Sequence, residues 1–190
     1  MNTKMIFGYG SLIREKSLRV TAPNATDLQP AYIKGFRRDF SLLDPFGYTE
    51  QDLLNYGETS LDLANIPFCG LDIKKIPDPE ARVNGVVFTV SGQDLEQMMV
   101  REAEYKLVKT IAYDYPTEQP IGICEVFSAG KNNAKYDFNS APLKRYLEIY
   151  LQAGKHYGDK YYQELLSTTF INDQPLTQVP QLAEMIRAAR

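Results

Sequence analysis

The sequence holds a single histidine, two cysteines and no tryptophan, and its apolar runs are short. Each shortage removes a class of function. With His156 as the only imidazole, a histidine-rich metal site is impossible. A Ser–His–Asp or Cys–His arrangement would have to use that same residue, for which no neighbouring sequence gives support. Cys69 and Cys124 sit in apolar surroundings, far apart and without C-x-x-C spacing, and read as reduced core residues. No stretch approaches the roughly 20 apolar residues of a membrane span. Met1-Asn2-Thr3-Lys4-Met5 opens too short an apolar run for a signal peptide, so a cytoplasmic protein with no membrane partner is expected. An excess of positive charge is also lacking: the formal net charge is −3 and the pI near 5.3. Arg37-Arg38 and Lys74-Lys75 are only pairs, not the basic stripe of a nucleic-acid binder. Chemistry is left to carboxylates, hydroxyls and the backbone.

What is present begins with Met5-Ile6-Phe7-Gly8-Tyr9-Gly10-Ser11-Leu12-Ile13, an apolar run that breaks into small residues and resumes. It reads as a buried strand delivering a backbone loop. Around Gly10, Ser11 and Leu12, consecutive N–H groups have the makings of an anion cradle. The plain alternative is a core strand ending in an ordinary turn. A dinucleotide fingerprint fails because Ile13 stands where G-x-G-x-x-G needs its third glycine. A nucleophile elbow fails because Tyr9 and Ile13 flank Ser11 where G-x-S-x-G needs glycines.

At 190 residues the chain fits one domain, 1–190, long enough to bury a core, with 140–190 as a helical extension. Residues 14–29 read as a connection with one helical turn. Alternation of Tyr32, Phe36, Phe40 and Leu42 with Lys34 and Arg38 predicts one strand over 32–43, with Arg38 on its polar face. Residues 48–67 read as an irregular insertion able to cover a site. Strands are expected over 68–76, 83–90, 106–115 and 121–129. Ser140, with Pro142 close behind, starts a helix that stops near Gly154. Further helices carry Tyr161 to Leu166 and begin again at Pro180.

The helix expected after Ser91 holds the second informative feature. Ser91 and Asp94 form a capping-box pattern, and Leu95, Met98 and Met99 mark the inward stripe, whose next position is Glu102. A carboxylate thus stands on a buried face, while Arg101 points outward and Tyr105 continues the stripe. As an ion-paired helix end, Glu102 is structural. As a group whose burial disfavours its charge, it suits a general base near neutral pH.

Phe7-Gly8-Tyr9-Gly10-Ser11-Leu12 resembles the opening Y-G-S-L/N loop of the γ-glutamylcyclotransferase superfamily, particularly its ChaC-like branch. Gly35-Phe36-Arg37-Arg38-Asp39-Phe40 resembles that family's second strand. Asn84-Gly85-Val86-Val87-Phe88, the Leu95 helix and Arg101-Glu102-Ala103-Glu104-Tyr105 resemble its second signature, a glycine-led strand and a helix ending in R-E-x-x-Y. The resemblance implies an α+β fold, a small mixed β-barrel flanked by helices, with substrate in its mouth and a helical C-terminal cover. It implies cyclisation of a γ-glutamyl group to 5-oxoproline without cofactor or metal. Glu102 matches the catalytic glutamate. Phe7, Gly8, Tyr9, Gly10, Ser11, Leu12 and Tyr105 are the candidate substrate-binding residues. The partner implied is a small γ-glutamyl compound, bound by a monomer or homodimer. Where glutathione-acting ChaC-like enzymes carry an R-G-T-P-x-x-P-G-like segment, this chain has Leu43-Asp44-Pro45-Phe46-Gly47-Tyr48, so glutathione is not singled out. Two other readings stay open: a non-catalytic small-molecule binding module on the same scaffold, and a protein-interaction domain.

Overall fold

The apolar run Val86-Val87-Phe88 lies in the strand around which a barrel closes. In the computed structural model, which describes residues 3–59 and 61–188, this strand is β5 (Arg82–Ser91), and most of its residues are buried on both faces. Met1, Asn2, Ser60, Ala189 and Arg190, within the expected 1–190 span, lie outside the described residues. Burying an apolar side chain of this size stabilises by about 1.5–3 kcal/mol, and the β-branched valines suit the pleated geometry.

On one side β5 pairs antiparallel with β1 (Thr3–Gly8), on the other with β2 (Thr26–Lys34). β2 pairs with β6 (Lys106–Asp114), β6 with β7 (Pro120–Ser128), and β7 returns to β1 in parallel, closing a mixed five-stranded barrel. A second sheet has the order β4–β3–β8–β9, from β3 (Phe36–Asp44), β4 (Phe68–Lys75), β8 (Thr169–Ile171) and β9 (Gln174–Pro175).

The described residues also hold six α-helices, α1 (Glu15–Thr21), α2 (Glu50–Tyr56), α3 (Gly92–Arg101), α4 (Ala141–His156), α5 (Asp159–Thr168) and α6 (Ala183–Ala188), and short 3-10 turns, of which Pro180–Leu182 is where the last helix was expected to begin. No helix among them is long and apolar enough to cross a membrane. α4, capped by Ser140 Oγ accepting from Leu143 N–H, packs near the turn after β1 and against β4, while α5 packs on β5. The segment from 140 onward supplies three helices and also the two short strands β8 and β9, which sequence reading missed because five residues carry too little periodicity.

Several expectations are corrected. The strand expected over 32–43 is two strands, because Gly35 takes φ +76, a left-handed conformation that turns the chain out of the barrel and into the second sheet. Within β3 the register against β4 slips between Phe40 and Leu42, a bulge that breaks strict alternation. The connection at 14–29 holds the two-turn helix α1, with Leu18 fully buried and Glu15 paired to Arg19 one turn on. The irregular segment at 48–67 contains α2, started by a capping box between Thr49 and Asp52. The box expected at Ser91 is not made. Asp94 instead accepts from Asn24 N–H at 2.8 Å and from Asn24 Nδ2 at 3.2 Å, joining α3 to the chain entering β2.

The largest correction is Arg38. Expected on a polar face, it is 0% exposed. Its guanidinium donates to Thr169 Oγ1 (2.9 Å), Asn84 O (2.6 Å), Asn84 Oδ1 (3.0 Å), Thr168 Oγ1 (3.2 Å) and Tyr9 O (3.3 Å), and it lies over the Tyr150 ring at 5.5 Å. Among the described residues no carboxylate pairs with it. Removing the donors strands buried acceptors at about 1–3 kcal/mol each. Arg38→Met is therefore expected to destabilise by at least about 3 kcal/mol, lowering Tm by on the order of 10 °C. Arg38→Lys keeps the charge, loses the fork, and should fall between. Thermal unfolding checks this; a Met variant as stable as the parent contradicts it.

Candidate active site

β1 ends at Gly8, and the chain enters a short 3-10 turn at Ser11–Ile13. A β-carbon on Gly8 would lie 2.8 Å from Leu12 Cβ, so only glycine lets the turn fold back this closely. Ile13 N–H donates to Gly10 O and Arg14 N–H to Ser11 O, which closes the turn. The N–H groups of Gly10, Ser11 and Leu12 find no acceptor among the described residues, as expected at the start of a helical turn. These three residues line a recess of about 50 Å³ together with Phe7 and Tyr9.

Glu102 reaches the same recess from α3, as does Tyr105. Glu102 caps that helix, with φ −98 and its N–H bonded to Met98 O at 2.9 Å. Its side chain is 14% exposed. Burial pushes its carboxyl above the ordinary carboxylate value. The Arg101 guanidinium opposes this, with Nε 3.2 Å from Glu102 Oε1, and the Asp44 carboxylate adds to it. Tyr105 N–H bonds to Glu102 O at 2.9 Å and its hydroxyl donates to Leu71 O at 3.0 Å, so the turn after α3 is fastened to β4.

Of the expected residues, the structure brings together Phe7, Tyr9, Gly10, Ser11, Leu12, Glu102 and Tyr105. Gly8 stands apart: it lines neither this recess nor the adjoining cavity, and shapes the loop from behind. Glu104, past the end of α3, is 60% exposed and paired with Lys131 at 2.9 Å, on the wall of the cavity that adjoins the recess.

Sequence reading missed Arg101. It was placed on the outward face, but at the end of α3 its long side chain spans to Ser11 Oγ and Thr21 Oγ1, both at 2.8 Å, as well as to Glu102. Tyr146 of α4, which nothing in the sequence sets apart from the other tyrosines, lines the recess too.

A larger cavity of about 460 Å³ adjoins the recess, sharing Ser11, Leu71, Glu102, Tyr105 and Tyr146 with it. The segment read as an irregular insertion does border this cavity, through Tyr48, Asp52, Asn55 and Tyr56. The ends of β3 and β4 supply Leu43, Asp44 and Phe68. Neither space is lined by histidine or cysteine. Cys69 and Cys124 are free and buried, and burial pushes both thiols up to about 12. Among the described residues no group of histidine, cysteine or acidic side chains has the arrangement of a metal site.

No protein-family model and no curated protein sequence matches the chain. Solved structures do. A yeast γ-glutamyl cyclotransferase specific to glutathione matches with a TM-score of 0.57 at 14% identity, over 100% of this chain and 98% of that one. A structure named γ-glutamyl cyclotransferase matches at 0.55 and 17% identity, over 98% and 99%. An uncharacterized human protein matches at 0.56 and 17% identity, over 98% and 99%. The chain has the γ-glutamylcyclotransferase fold. In that fold, as it stands here, the loop after β1 and the end of α3 meet at one recess, and α2 with the ends of β3 and β4 walls the space beside it.

Arg101 is expected to hold Glu102 down against burial. Replacing it with glutamine should move the Glu102 titration further up, read from the side-chain carboxyl carbon by NMR. A raised folded-state value means protonation stabilises the fold: that contribution is full below the unfolded value of about 4.3 and is lost as pH rises through the folded value. In Arg101→Gln the declining limb of Tm against pH should therefore extend to higher pH. An unmoved titration shows that the ion pair does not set the Glu102 carboxyl.

Proposed function

We propose that the protein is a γ-glutamylcyclotransferase-type enzyme, cyclising the γ-glutamyl group of a small compound to 5-oxoproline with release of an amine. The observation that carries this reading is one recess lined by a largely buried carboxylate, Glu102, and by Gly10, Ser11 and Leu12, whose N–H groups have no acceptor among the described residues. Such a pair suits a substrate that brings its own nucleophile. The loop N–H groups and Ser11 hold the glutamyl head group, and the walls of Phe7, Tyr9 and Tyr105 keep it folded.

Glu102 accepts a proton from the α-ammonium, and the freed amine attacks the γ-carbonyl carbon. Nitrogen–carbon bond formation closes the five-membered lactam. The carboxylic acid then returns the proton to the leaving nitrogen as the amide C–N bond breaks. The second proton lost by the α-nitrogen passes through the regenerated carboxylate to the departing amine, which leaves as an ammonium. Holding amine and carbonyl in attack geometry supplies most of the acceleration, and an upward-shifted carboxyl is matched to proton transfer near neutral pH. The adjoining cavity receives the leaving amine. The fold likeness to γ-glutamyl cyclotransferases supports this reading.

Glu102→Gln keeps shape and hydrogen bonding but removes proton acceptance, so single-turnover release of 5-oxoproline should fall by about 10²–10⁴-fold while substrate binding survives. Stability should hold or rise, since a neutral amide escapes the desolvation that burdens the carboxylate. Glu104→Gln, at an exposed ion pair, should change turnover little. An active Glu102→Gln enzyme, or an inactive Glu104→Gln one, moves the base elsewhere.

A further inference from the structure

The larger cavity is unevenly charged. Four carboxylates line it, Asp44, Asp52, Glu102 and Glu104, against one guanidinium, Arg101. Two of the four are compensated, Glu102 by Arg101 and Glu104 by Lys131. Asp44 and Asp52 have no cation within ion-pair distance among the described residues. Both are held rigidly by one oxygen: Asp44 Oδ1 accepts the N–H groups of Phe46 and Gly47, each at 3.0 Å, and Asp52 Oδ2 accepts Thr49 N–H and its hydroxyl. In each case the second carboxylate oxygen has no hydrogen bond among the described residues.

Two further groups in the same wall lack partners. Ser17 is 3% exposed and Tyr48 5%, and neither hydroxyl has a hydrogen-bond partner in the described structure. Buried hydroxyls of this kind are normally satisfied. Their position in the wall of the same cavity as two carboxylates without a contact ion pair, one of which, Asp52, feels Arg101 only at longer range, marks a place made for a ligand's donors. The aromatic faces of Tyr48, Tyr56 and Phe68 complete the wall, and such faces also attract cations. Among the described residues no second guanidinium or ammonium lines the cavity to receive a carboxylate.

We infer that the preferred leaving group is an amine carrying a second, positively charged ammonium and no carboxylate, selected by Asp44 and Asp52 with Ser17 and Tyr48 as hydrogen-bonding partners. This rests on the cyclisation reading and narrows its substrate class. A γ-glutamyl amino acid or glutathione would bring its leaving-group carboxylate toward acids that have no contact ion pair, which is unfavourable both by repulsion and by loss of solvation.

The test is a panel assayed for 5-oxoproline with the full chain: γ-glutamylputrescine, whose leaving amine keeps a free ammonium; its neutral isostere γ-glutamyl-n-pentylamide; γ-glutamylglycine; and glutathione. Calorimetric binding of each compound to the Glu102→Gln protein runs in parallel. The cationic compound should exceed the neutral isostere in kcat/KM by about tenfold or more, a difference that partly buried charges readily supply. The carboxylate-bearing compounds should fall below both. In Asp44→Asn and Asp52→Asn the cationic-to-neutral ratio should drop toward unity, chiefly through KM. Because Asp52→Asn also weakens the cap of α2, Asp44→Asn and a Tyr48→Phe variant give independent readings. Turnover without cationic preference, or a ratio unmoved in the Asn variants, overturns the inference and leaves cyclisation standing. Cation-selective binding with no 5-oxoproline from any compound supports the charge selection and overturns cyclisation.

Discussion

Arg38 carries its charge into the interior with no carboxylate to meet it, and the surrounding chain is arranged to supply neutral acceptors instead. They come from four places: the loop after β1 through Tyr9 O, β5 through Asn84, the end of α5 through Thr168, and the start of β8 through Thr169. A buried cation left without such partners costs several kcal/mol, so the fold gains little from any one of these elements unless all are present. Asn84 spends its amide on Tyr161 O at 2.8 Å, and the Thr169 hydroxyl is within 2.9 Å of the Tyr150 hydroxyl. One guanidinium thereby joins barrel, second sheet and helical cover.

The candidate site depends on that junction. The carbonyl of Tyr9 is turned inward to Arg38, and the residues that follow it line the recess. On the opposite side, Arg101 repeats the device at the surface, tying Ser11, Thr21 and Glu102 together. The loop is thus held from behind by a buried arginine and from in front by a partly exposed one. A carboxylate kept largely from water between such fixed groups is raised toward neutrality without having to move.

Much of this was legible in the sequence where a physical signal was local. The strands at 68–76, 83–90, 106–115 and 121–129 stood out by β-branched runs between turn residues, and the structure has them within a few residues. Glu102 stood out because it interrupts an apolar helical stripe. What escaped depends on tertiary partners. Arg38 looked exposed because it was assigned to a polar face on its charge, whereas a period of two puts it on the same face as the buried Phe36 and Phe40 two residues to either side. Arg101 looked outward because helical phase says nothing of a long side chain on the last residue of a helix. The Ser91–Asp94 pattern looked like a cap, but Asn24, distant in sequence, competes for the same carboxylate. The Thr49–Asp52 cap, which starts α2 and so a wall of the cavity, went unread, because the 48–67 segment around it shows no clear periodicity.

The central claim is that the substrate's own amine, not water, attacks the γ-carbonyl beside Glu102. Turnover of a γ-glutamyl amide in ¹⁸O-enriched water, followed by mass spectrometry, tests it most directly. Cyclisation forms 5-oxoproline with no solvent oxygen, since the only bond made to the carbonyl carbon is to the α-nitrogen. Glutamate carrying one solvent oxygen in its γ-carboxyl would show hydrolysis instead and contradict the account.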